Sequence, residues 1–228
     1  MSVVTDIWSF ITTADNWSGQ RGIWSRTVAH MWISLVATLL ATAVALPVAL
    51  TLAHRRLFPV LSVAVANIGR AVPSFAIIVI VLPLSIRFGF GLGFWPTTCA
   101  LVALGIPPIF TNTYAGIAGA PPELVEAATG VGMTGSQVLR LVELPVAMPL
   151  VFAGFRLAAV QIVATATLGA LVGYQCLGSF ILEGIAQPRL SSDKLYGGAF
   201  LVALLAVLVE FVFGRIEPRL VPWRYRAR

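Results

Sequence analysis

Five long runs of the chain carry no charged residue, and they constrain the fold more than any other feature of the sequence. They cover residues 28–53, 71–86, 88–122, 157–182 and 195–209. A helix needs about 20 apolar residues to cross the hydrocarbon core of a bilayer, and several runs reach or approach that length. Only 11% of the 228 residues are charged, against about 25% in an average soluble domain. The sequence therefore predicts an all-α bundle of membrane-spanning helices with the lipid bilayer as its solvent.

The predicted organisation is one membrane domain, 28–214, between two short ends, 1–27 and 215–228. The N-terminal end contains three tryptophans among polar residues, and aromatic side chains of this kind favour the lipid–water interface. It carries Asp6 and no basic cluster, so it lacks the pattern of a cleaved signal peptide. We expect an interfacial segment at the N-terminus and a basic cytoplasmic tail at the C-terminus.

Five membrane spans fit the apolar runs. We predict them at residues 28–53, 57–87, 94–119, 146–173 and 195–214. Arg70 and Pro73 interrupt the second span and indicate a kink or two short helices. Splitting it fully would give six spans, but each half would be too short for an unthinned bilayer. The prediction is therefore a polytopic bundle of five spans, with six as the alternative.

Positive side chains beside the spans indicate which end of the bundle faces the cytoplasm. With five spans and residues 120–145 inside, eight positive residues lie on the inner side and five on the outer side. The inner group is Arg55, Arg56, Arg140, Arg215, Arg219, Arg224, Arg226 and Arg228, and the outer group is Arg21, Arg26, Arg87, Arg189 and Lys194. This bias predicts a cytoplasmic C-terminus. Because the charges lie beside membrane segments and not along a solvent-facing stripe, they argue against nucleic-acid binding.

A polar segment, 120–145, stands between two apolar stretches. Pro121 and Pro122 end the preceding span, since proline removes a backbone donor, and they suit the first turn of a new short helix. Glu123 lies near the positive N-terminal end of that helix. An apolar stripe at helical spacing is formed by Leu124, Ala127, Ala128 and Val131.

Three glycines then predict a turn, with Gly132 as the residue that takes positive φ. Thr134 and Gln137 have the spacing of a capping box, which starts a second helix at about 135–143. Pro145 is expected to close this helix before the fourth span begins. The segment is thus predicted to be a helix–turn–helix at the cytoplasmic surface. It either packs under its own bundle or is held by another protein.

The stretch "EAATGVGMTGSQVLRLVELP" resembles the EAA motif of importer permeases of the ATP-binding cassette class. That motif is Glu-Ala-Ala, three residues, Gly, nine residues, an aliphatic residue, any residue, then Leu-Pro. All spacings match, with valine in place of the usual isoleucine. The matching residues are Glu126, Ala127, Ala128, Gly132, Val142, Leu144 and Pro145.

The resemblance implies a fold, a location and a set of partners. It implies a type I importer permease in the bacterial inner membrane, paired with a second permease copy, with cytoplasmic ATPase subunits and with an extracytoplasmic substrate-binding protein. The short helices would dock into a groove on the ATPase, and ATP would drive the spans between inward and outward openings. Within this scheme Glu126 would hold either the N-terminal amides of the second helix or a donor of the partner.

Longer stretches resemble one branch of these permeases. "PSFAIIVIVLPL", "IPPIFTNTYAGI" and the text from 121 to 173 are similar to permeases for glycine betaine, carnitine, choline and related osmoprotectants. The resemblance covers about residues 28–214. A related importer for methionine, other amino acids or oxyanions is the alternative, because the coupling motif alone does not separate these solutes.

The sequence offers little support for an enzyme. A phosphate-binding loop needs a lysine in GxxxxGK[ST], and the single lysine, Lys194, stands in "SSDKL". There is no HExxH, no GxSxG and only two scattered histidines, so we expect no catalytic residue, no metal and no cofactor. A channel or an inert scaffold is the third class of function, which uptake without ATP would favour.

A few polar residues inside the spans are candidates for a solute path. Pro107 and Pro108 suggest a broken helix that lines a pathway. Polar contact between helices is the competing interpretation for all of the candidates. They are Asn112, Tyr114, Arg156, Gln161 and Thr165.

Charged and titratable residues within the spans are expected to be structural. A mid-span arginine such as Arg156 costs about 2.5–3.5 kcal/mol to insert, so it needs a partner, and Glu210 in the fifth span is a candidate. His30 and His54 are isolated in the sequence and are interpreted as structural or interfacial residues.

Overall fold

The computed structural model describes residues 2–57, 60, 64–65, 71–187 and 192–220. Its α-helices are α1 (Val3–Thr12), α2 (Ile23–His54), α3 (Ser74–Arg87), α4 (Phe94–Ala118), α5 (Pro122–Gly130), α6 (Gly135–Val138), α7 (Leu144–Thr165), α8 (Gly178–Ala186) and α9 (Ser192–Leu220). Turns of 3-10 helix lie at Ala14–Asn16 and Ala166–Val172, and a π-helical turn lies at Leu139–Glu143. No strand occurs in these ranges, which confirms the all-α class.

Four helical segments in the described part of the chain are long and apolar enough to cross a membrane. They are Ile23–His54, Phe94–Ala118, Gly135–Val172 and Ser192–Arg219. Each coincides with a predicted span: the first, third, fourth and fifth. These four spans are therefore confirmed as helices of sufficient length.

The second predicted span, 57–87, is described only in part. Its last section is α3, which has 14 residues and a length of roughly 21 Å at 1.5 Å per residue, less than the roughly 30 Å hydrocarbon core. Pro73 stands just before the first helical residue with extended backbone (φ −66°, ψ 125°), where the sequence predicts an interruption. Arg70 lies outside the described residues, as do Arg189, Arg224, Arg226 and Arg228. The second span, and with it the total of five, therefore stays a prediction.

Small side chains let α2, α4 and α7 approach closely at the centre of the bundle. Buried alanines recur every four residues on α2, at Ala41, Ala45, Ala49 and Ala53. A Cβ at Gly105 of α4 would lie 3.0 Å from the Cβ of Ala41 and 2.8 Å from Cδ1 of Ile162. Lipid provides no hydrophobic force between helices, so close van der Waals contact of this kind holds the three together.

The outer faces of the long helices are apolar and exposed. Leu35, Leu39 and Val48 of α2 and Val207 and Phe211 of α9 are prominent examples. Soluble monomers rarely expose contiguous apolar surfaces of this extent. The surface is the lipid-facing one that a membrane-spanning bundle requires.

A second group of helices packs beside this centre. α9 lies against α1, α7 and α8. Phe10 of α1 is fully buried and packs edge-on against Phe180 of α8, with ring centroids 5.0 Å apart. Gly197 of α9 makes room for the Phe10 ring, because a Cβ there would lie 2.2 Å from it. Trp8 is exposed, so α1 docks one apolar face on the bundle and turns the other outward.

The helix containing Pro107 and Pro108 is more regular than predicted. The sequence suggested a broken helix, but α4 runs without interruption through both prolines. The side chains of Thr111 and Asn112 donate to the Pro107 and Pro108 carbonyls, each at 2.8 Å. Close packing between α2, α3 and α7 keeps the segment helical despite the two missing N–H groups.

Candidate functional site

The predicted helix–turn–helix lies at one end of the bundle. α5 begins at Pro122, whose missing N–H is not needed in a first turn. Gly132 follows α5 with a φ of +87°, in the left-handed region that glycine adopts without strain. No atom lies within 4 Å of a Cβ built at Gly132. Backbone conformation, and not lack of room, is therefore what requires glycine at this position.

The capping box at the start of α6 is present as predicted. The Oε1 atom of Gln137 accepts from the backbone N–H of Thr134 at 2.7 Å and from its hydroxyl at 3.0 Å. These bonds fix the direction in which the chain leaves the glycine turn.

The second helix does not stop at Pro145, and this part of the prediction was wrong. α6 passes through the π-helical turn 139–143 directly into α7. In that turn the Leu144 N–H donates to the Leu139 carbonyl, five residues back. The wider turn accommodates Pro145, which has no N–H and would crowd a carbonyl in a regular α-helix. The second short helix and the fourth span are one continuous helical segment.

The apolar stripe of α5 faces away from the bundle. Leu124 is 47% exposed and Val131 is 79% exposed. Ala127 is also exposed, and Ala128 is the one member of the predicted stripe that is buried. A hairpin that packed only under its own bundle would bury this stripe. The stripe therefore does not serve packing within this chain.

Glu126 faces solvent beside this stripe, as does Glu123. Within the described residues the Glu126 carboxylate forms no hydrogen bond or ion pair, so it does not hold the N-terminal amides of α6. The last positions of the motif differ in character, since Val142 and Leu144 are half-buried. Leu144 packs on the core cluster of α2, α4 and α7. The motif thus has an outward part on α5 and an inward part at the start of α7.

Glu143 is a functional candidate that the sequence reasoning missed. Its side chain is 2% exposed, and its Oε2 atom lies 2.6 Å from Nδ1 of His54, the last residue of α2. The other ring nitrogen of His54 faces Gly135, where a Cβ would be 3.2 Å away. Glu143 stands directly before the Leu-Pro of the motif, on the apolar face of a helix. A glutamate at such a position needs a partner, and this is the sequence signal that could have identified the contact.

The end of α2 is also tied to the end of α4. The Tyr114 hydroxyl donates to the Leu57 carbonyl at 3.0 Å, and Nη1 of Arg56 donates to the Ala118 carbonyl. Together with the contact between His54 and Glu143, these bonds join two spans and the helix–turn–helix into one hydrogen-bonded unit.

A cavity of about 500 Å³ opens between α3, α4 and α7. Apolar side chains such as Leu104 and Leu157 line it beside four polar ones: Ser74, Thr111, Asn112 and Gln161. Two of the predicted path residues, Asn112 and Gln161, therefore share one space.

The other three predicted path residues do not line this cavity. Tyr114 is buried and bonded to Leu57. Arg156 pairs with α9: its Nε donates to Glu210 at 3.0 Å and its Nη1 to Glu217 at 2.7 Å, which confirms Glu210 as its partner. Thr165 is the last residue of α7.

The sequence from residue 41 to residue 222 matches the family described as the binding-protein-dependent transport system inner membrane component. The chain belongs to this family. As one of these permeases it is a multi-pass membrane protein and a transport component.

Two other permeases of this family are similar to this chain over most of its length. The carnitine transport permease protein OpuCB of Listeria monocytogenes is 36% identical over 197 residues, covering 86% of this chain and 87% of that protein. The glycine betaine/carnitine/choline transport system permease protein OpuCB of Bacillus subtilis is 34% identical over 199 residues, covering 86% and 88%.

Solved structures confirm the fold of this permease. The inward-facing MetNI methionine ABC transporter matches with a TM-score of 0.75 at 20% identity, over 88% of this chain and 96% of that one. An amino acid ABC transporter with histidines matches with a TM-score of 0.71 at 16% identity. At such identities the likeness shows the type I importer permease fold and nothing about the solute.

Proposed function

We propose that this permease is the membrane-spanning subunit of an ATP-driven importer of osmoprotectants of the glycine betaine, carnitine, choline or proline type. The support for this solute class is the specificity of the relatives from Listeria and Bacillus, which are named as carnitine and glycine betaine/carnitine/choline permeases and match over most of their lengths. The methionine permease shares only the fold at 20% identity. A methionine, amino-acid or oxyanion cargo therefore has less support.

The outward apolar stripe of α5 is the observation that carries the coupling part of the proposal. Leu124 and Val131 are exposed at the end of the bundle and do not contribute to its internal packing. Exposed apolar side chains beside carboxylates such as Glu126 are typical of a protein–protein contact. The partner is a separate cytoplasmic ATPase, which would supply the energy that this chain has no phosphate-binding loop to obtain.

The continuous helix gives this contact a route into the membrane. When nucleotide binding moves the ATPase surface, α5 and α6 move with it. Because α6 continues into α7, and Glu143 is bonded to His54 at the end of α2, the displacement reaches two spans directly. A rigid connection of this kind suits force transmission better than a flexible loop would.

The cavity at Asn112 and Gln161 is the proposed solute path. Four polar side chains line it between α3, α4 and α7, within the membrane bundle, where polar groups are costly unless they face protein or water. In the assembled importer a second permease copy would complete it, and an extracytoplasmic binding protein would deliver the solute. The helix–turn–helix and the C-terminal tail then face the cytoplasm.

Uptake of labelled solutes tests the solute class. Cells with and without this chain are given labelled glycine betaine, choline, carnitine and proline at high and low osmolarity. We expect uptake of at least one of them to depend on the chain and to be stronger at high osmolarity. Uptake of all four that is the same without the chain would overturn the solute assignment.

A charge placed on the α5 stripe tests the coupling. Leu124→Asp should weaken association with the ATPase and lower uptake, with little change in the folded stability of an exposed position. Thr129→Asp adds the same charge on the same helix, roughly 140° around its axis at 3.6 residues per turn, and serves as the matched control. Equal effects of the two variants would contradict docking through this stripe.

A further inference from the structure

A second, polar cavity of about 240 Å³ lies at the opposite end of the bundle. The start of α2, α8 and the start of α9 enclose it together with residues 15–18. Arg26, in its wall, and His54, at the helix–turn–helix, are separated on α2 by 28 residues, or roughly 42 Å at 1.5 Å per residue. That separation exceeds the roughly 30 Å hydrocarbon core. The cavity is therefore on the far side of the membrane from the helix–turn–helix.

Arg26 is the unusual residue of this wall. It is 1% exposed, its guanidinium lies 4.1 Å from the ring centroid of Phe180, and its Nη2 donates to Glu183. Its Nε and Nη1 atoms are buried and have no partner within the described residues. A buried donor without a partner destabilises the fold, and more so when the group is charged. The stacked ring and Glu183 hold the guanidinium in place at the edge of the cavity.

The cavity wall carries more positive than negative charge. Its charged members are Asp15, Arg21, Arg26, Glu183 and Lys194, which makes three cations and two carboxylates. Glu183 serves two of these cations, because Lys194 Nζ also lies 3.1 Å from its Oε2. All nine acidic residues of the chain fall within the described ranges, and of these Glu183 is the one that bonds Arg26.

We propose that this cavity binds a carboxylate, held by Arg26 with Lys194 and Arg21. A carboxylate would supply an acceptor to the unused guanidinium donors and balance the excess charge. The proposal rests on the proposed function for the side of the membrane and for the source of the group. That source is either the free solute, such as a betaine, or an acidic side chain of the extracytoplasmic binding protein.

Ligand-dependent thermal unfolding of the purified full chain in detergent tests the site. Sodium acetate is compared with sodium chloride at equal ionic strength, and glycine betaine is compared with choline chloride, which lacks the carboxylate. We expect acetate to raise the unfolding temperature by about 3 °C at several times its dissociation constant. A rise with glycine betaine as well assigns the site to the solute, and a rise with acetate alone assigns it to a protein carboxylate. No rise with either would overturn the proposal.

Variants with opposite expected signs separate binding from a structural role. Lys194→Gln should weaken acetate binding about tenfold through loss of one charged contact. Glu183→Gln should strengthen it, because the internal carboxylate that competes for Arg26 is gone. Arg87→Gln changes an exposed arginine outside the cavity at the same end of the bundle and should leave binding unchanged. Equal acetate shifts in all three variants would contradict the site.

The measurement needs neither the ATPase nor transport. A finding that solute uptake does not depend on this chain would therefore not contradict the carboxylate site. Failure of acetate to bind would equally leave the proposed importer function intact.

Discussion

The Nδ1 atom of His54 lies 2.6 Å from the buried carboxylate of Glu143, and this contact joins the end of a membrane span to the helix–turn–helix. Glu143 belongs to the π-helical turn that leads into α7. The pair therefore stands where the two short helices and two spans meet. If α5 and α6 moved while the end of α2 stayed in place, the contact between His54 and Glu143 would break.

Removing the histidine should uncouple this junction. In His54→Ala the Glu143 carboxylate stays buried without its partner, at a cost of about 1–3 kcal/mol. We expect a lower unfolding temperature of the purified chain and a loss of uptake larger than the loss of inserted protein. His54→Asn, which offers an amide donor near the position of Nδ1, should retain most of both. Wild-type uptake and stability in His54→Ala would refute the role given to this pair.

The glycine turn permits a comparison of two neighbouring positions. Gly132→Ala places a side chain on a left-handed backbone and should cost about 1–2 kcal/mol, lowering uptake while the protein still inserts. Gly130→Ala lies in the helical backbone of α5, also with no atom near the new Cβ, and should be neutral or stabilising by about 0.5–1 kcal/mol. Immunoblots of membranes and uptake per inserted molecule measure both.

Two stronger substitutions address the same turn. Gly132→Asp and Glu126→Lys should abolish uptake without preventing insertion, the second because it reverses the charge beside the outward stripe. Normal import in either variant would mean that the segment is not a docking site.

The long helices were predictable because their signal is spread over many residues. Four spans follow from apolar runs of sufficient length, and the capping box at Thr134 follows from a fixed spacing with a local physical cause. Arg156 and Glu210 could be paired in advance because a charge inside a span needs a partner. In each case the determining interaction is local or is required by the membrane.

The features that sequence reasoning missed depend on tertiary contact. Pro145 was expected to end a helix, but the π-helical turn before it lets the helix continue into α7. Spacing predicts neither the partner of Glu143 nor the outward direction of the α5 stripe. Hydrophobic periodicity identifies the residues that share a helix face, but it does not identify what that face contacts. Asn112 and Gln161 were two of five path candidates, and only the packing of α4 against α7 places them together.

Acid should remove one ionic contribution to stability. Burial alone would raise the pKa of Glu183, but hydrogen bonds from Arg26 and Lys194 lower it overall below the ordinary value of 4.5. A carboxylate whose folded pKa is depressed stabilises the folded state above its unfolded pKa, and loses this contribution as the pH falls through the folded value. The difference in unfolding temperature between the wild type and Glu183→Gln should therefore be constant from neutral pH down to about 5 and shrink below it. Thermal unfolding in detergent across this range measures it, and a difference that persists at the acid end would contradict the ionic origin.

The cavity between α3, α4 and α7 makes a kinetic prediction. Gln161→Ala and Asn112→Ala each remove an amide from the cavity lining. Loss of one hydrogen bond to a charged solute corresponds to roughly a tenfold change, so we expect the KM for uptake, or its maximal rate, to change by about that factor. Gln161 is exposed, and its replacement should leave the unfolding temperature within experimental error of the wild type. A change in transport without a change in stability is what separates a path residue from polar contact between helices.

Thr165→Ser is the matched control for these two variants. It alters a polar residue of the same helix as Gln161 that lies outside the cavity lining, and it should leave both kinetic parameters unchanged. Asn112 also bonds the Pro108 carbonyl, so its replacement can disturb α4 itself, whereas Gln161 forms no such bond among the described residues. The Gln161 result therefore decides the question: an unchanged KM and maximal rate there would remove this cavity from the solute path, even if Asn112→Ala were defective.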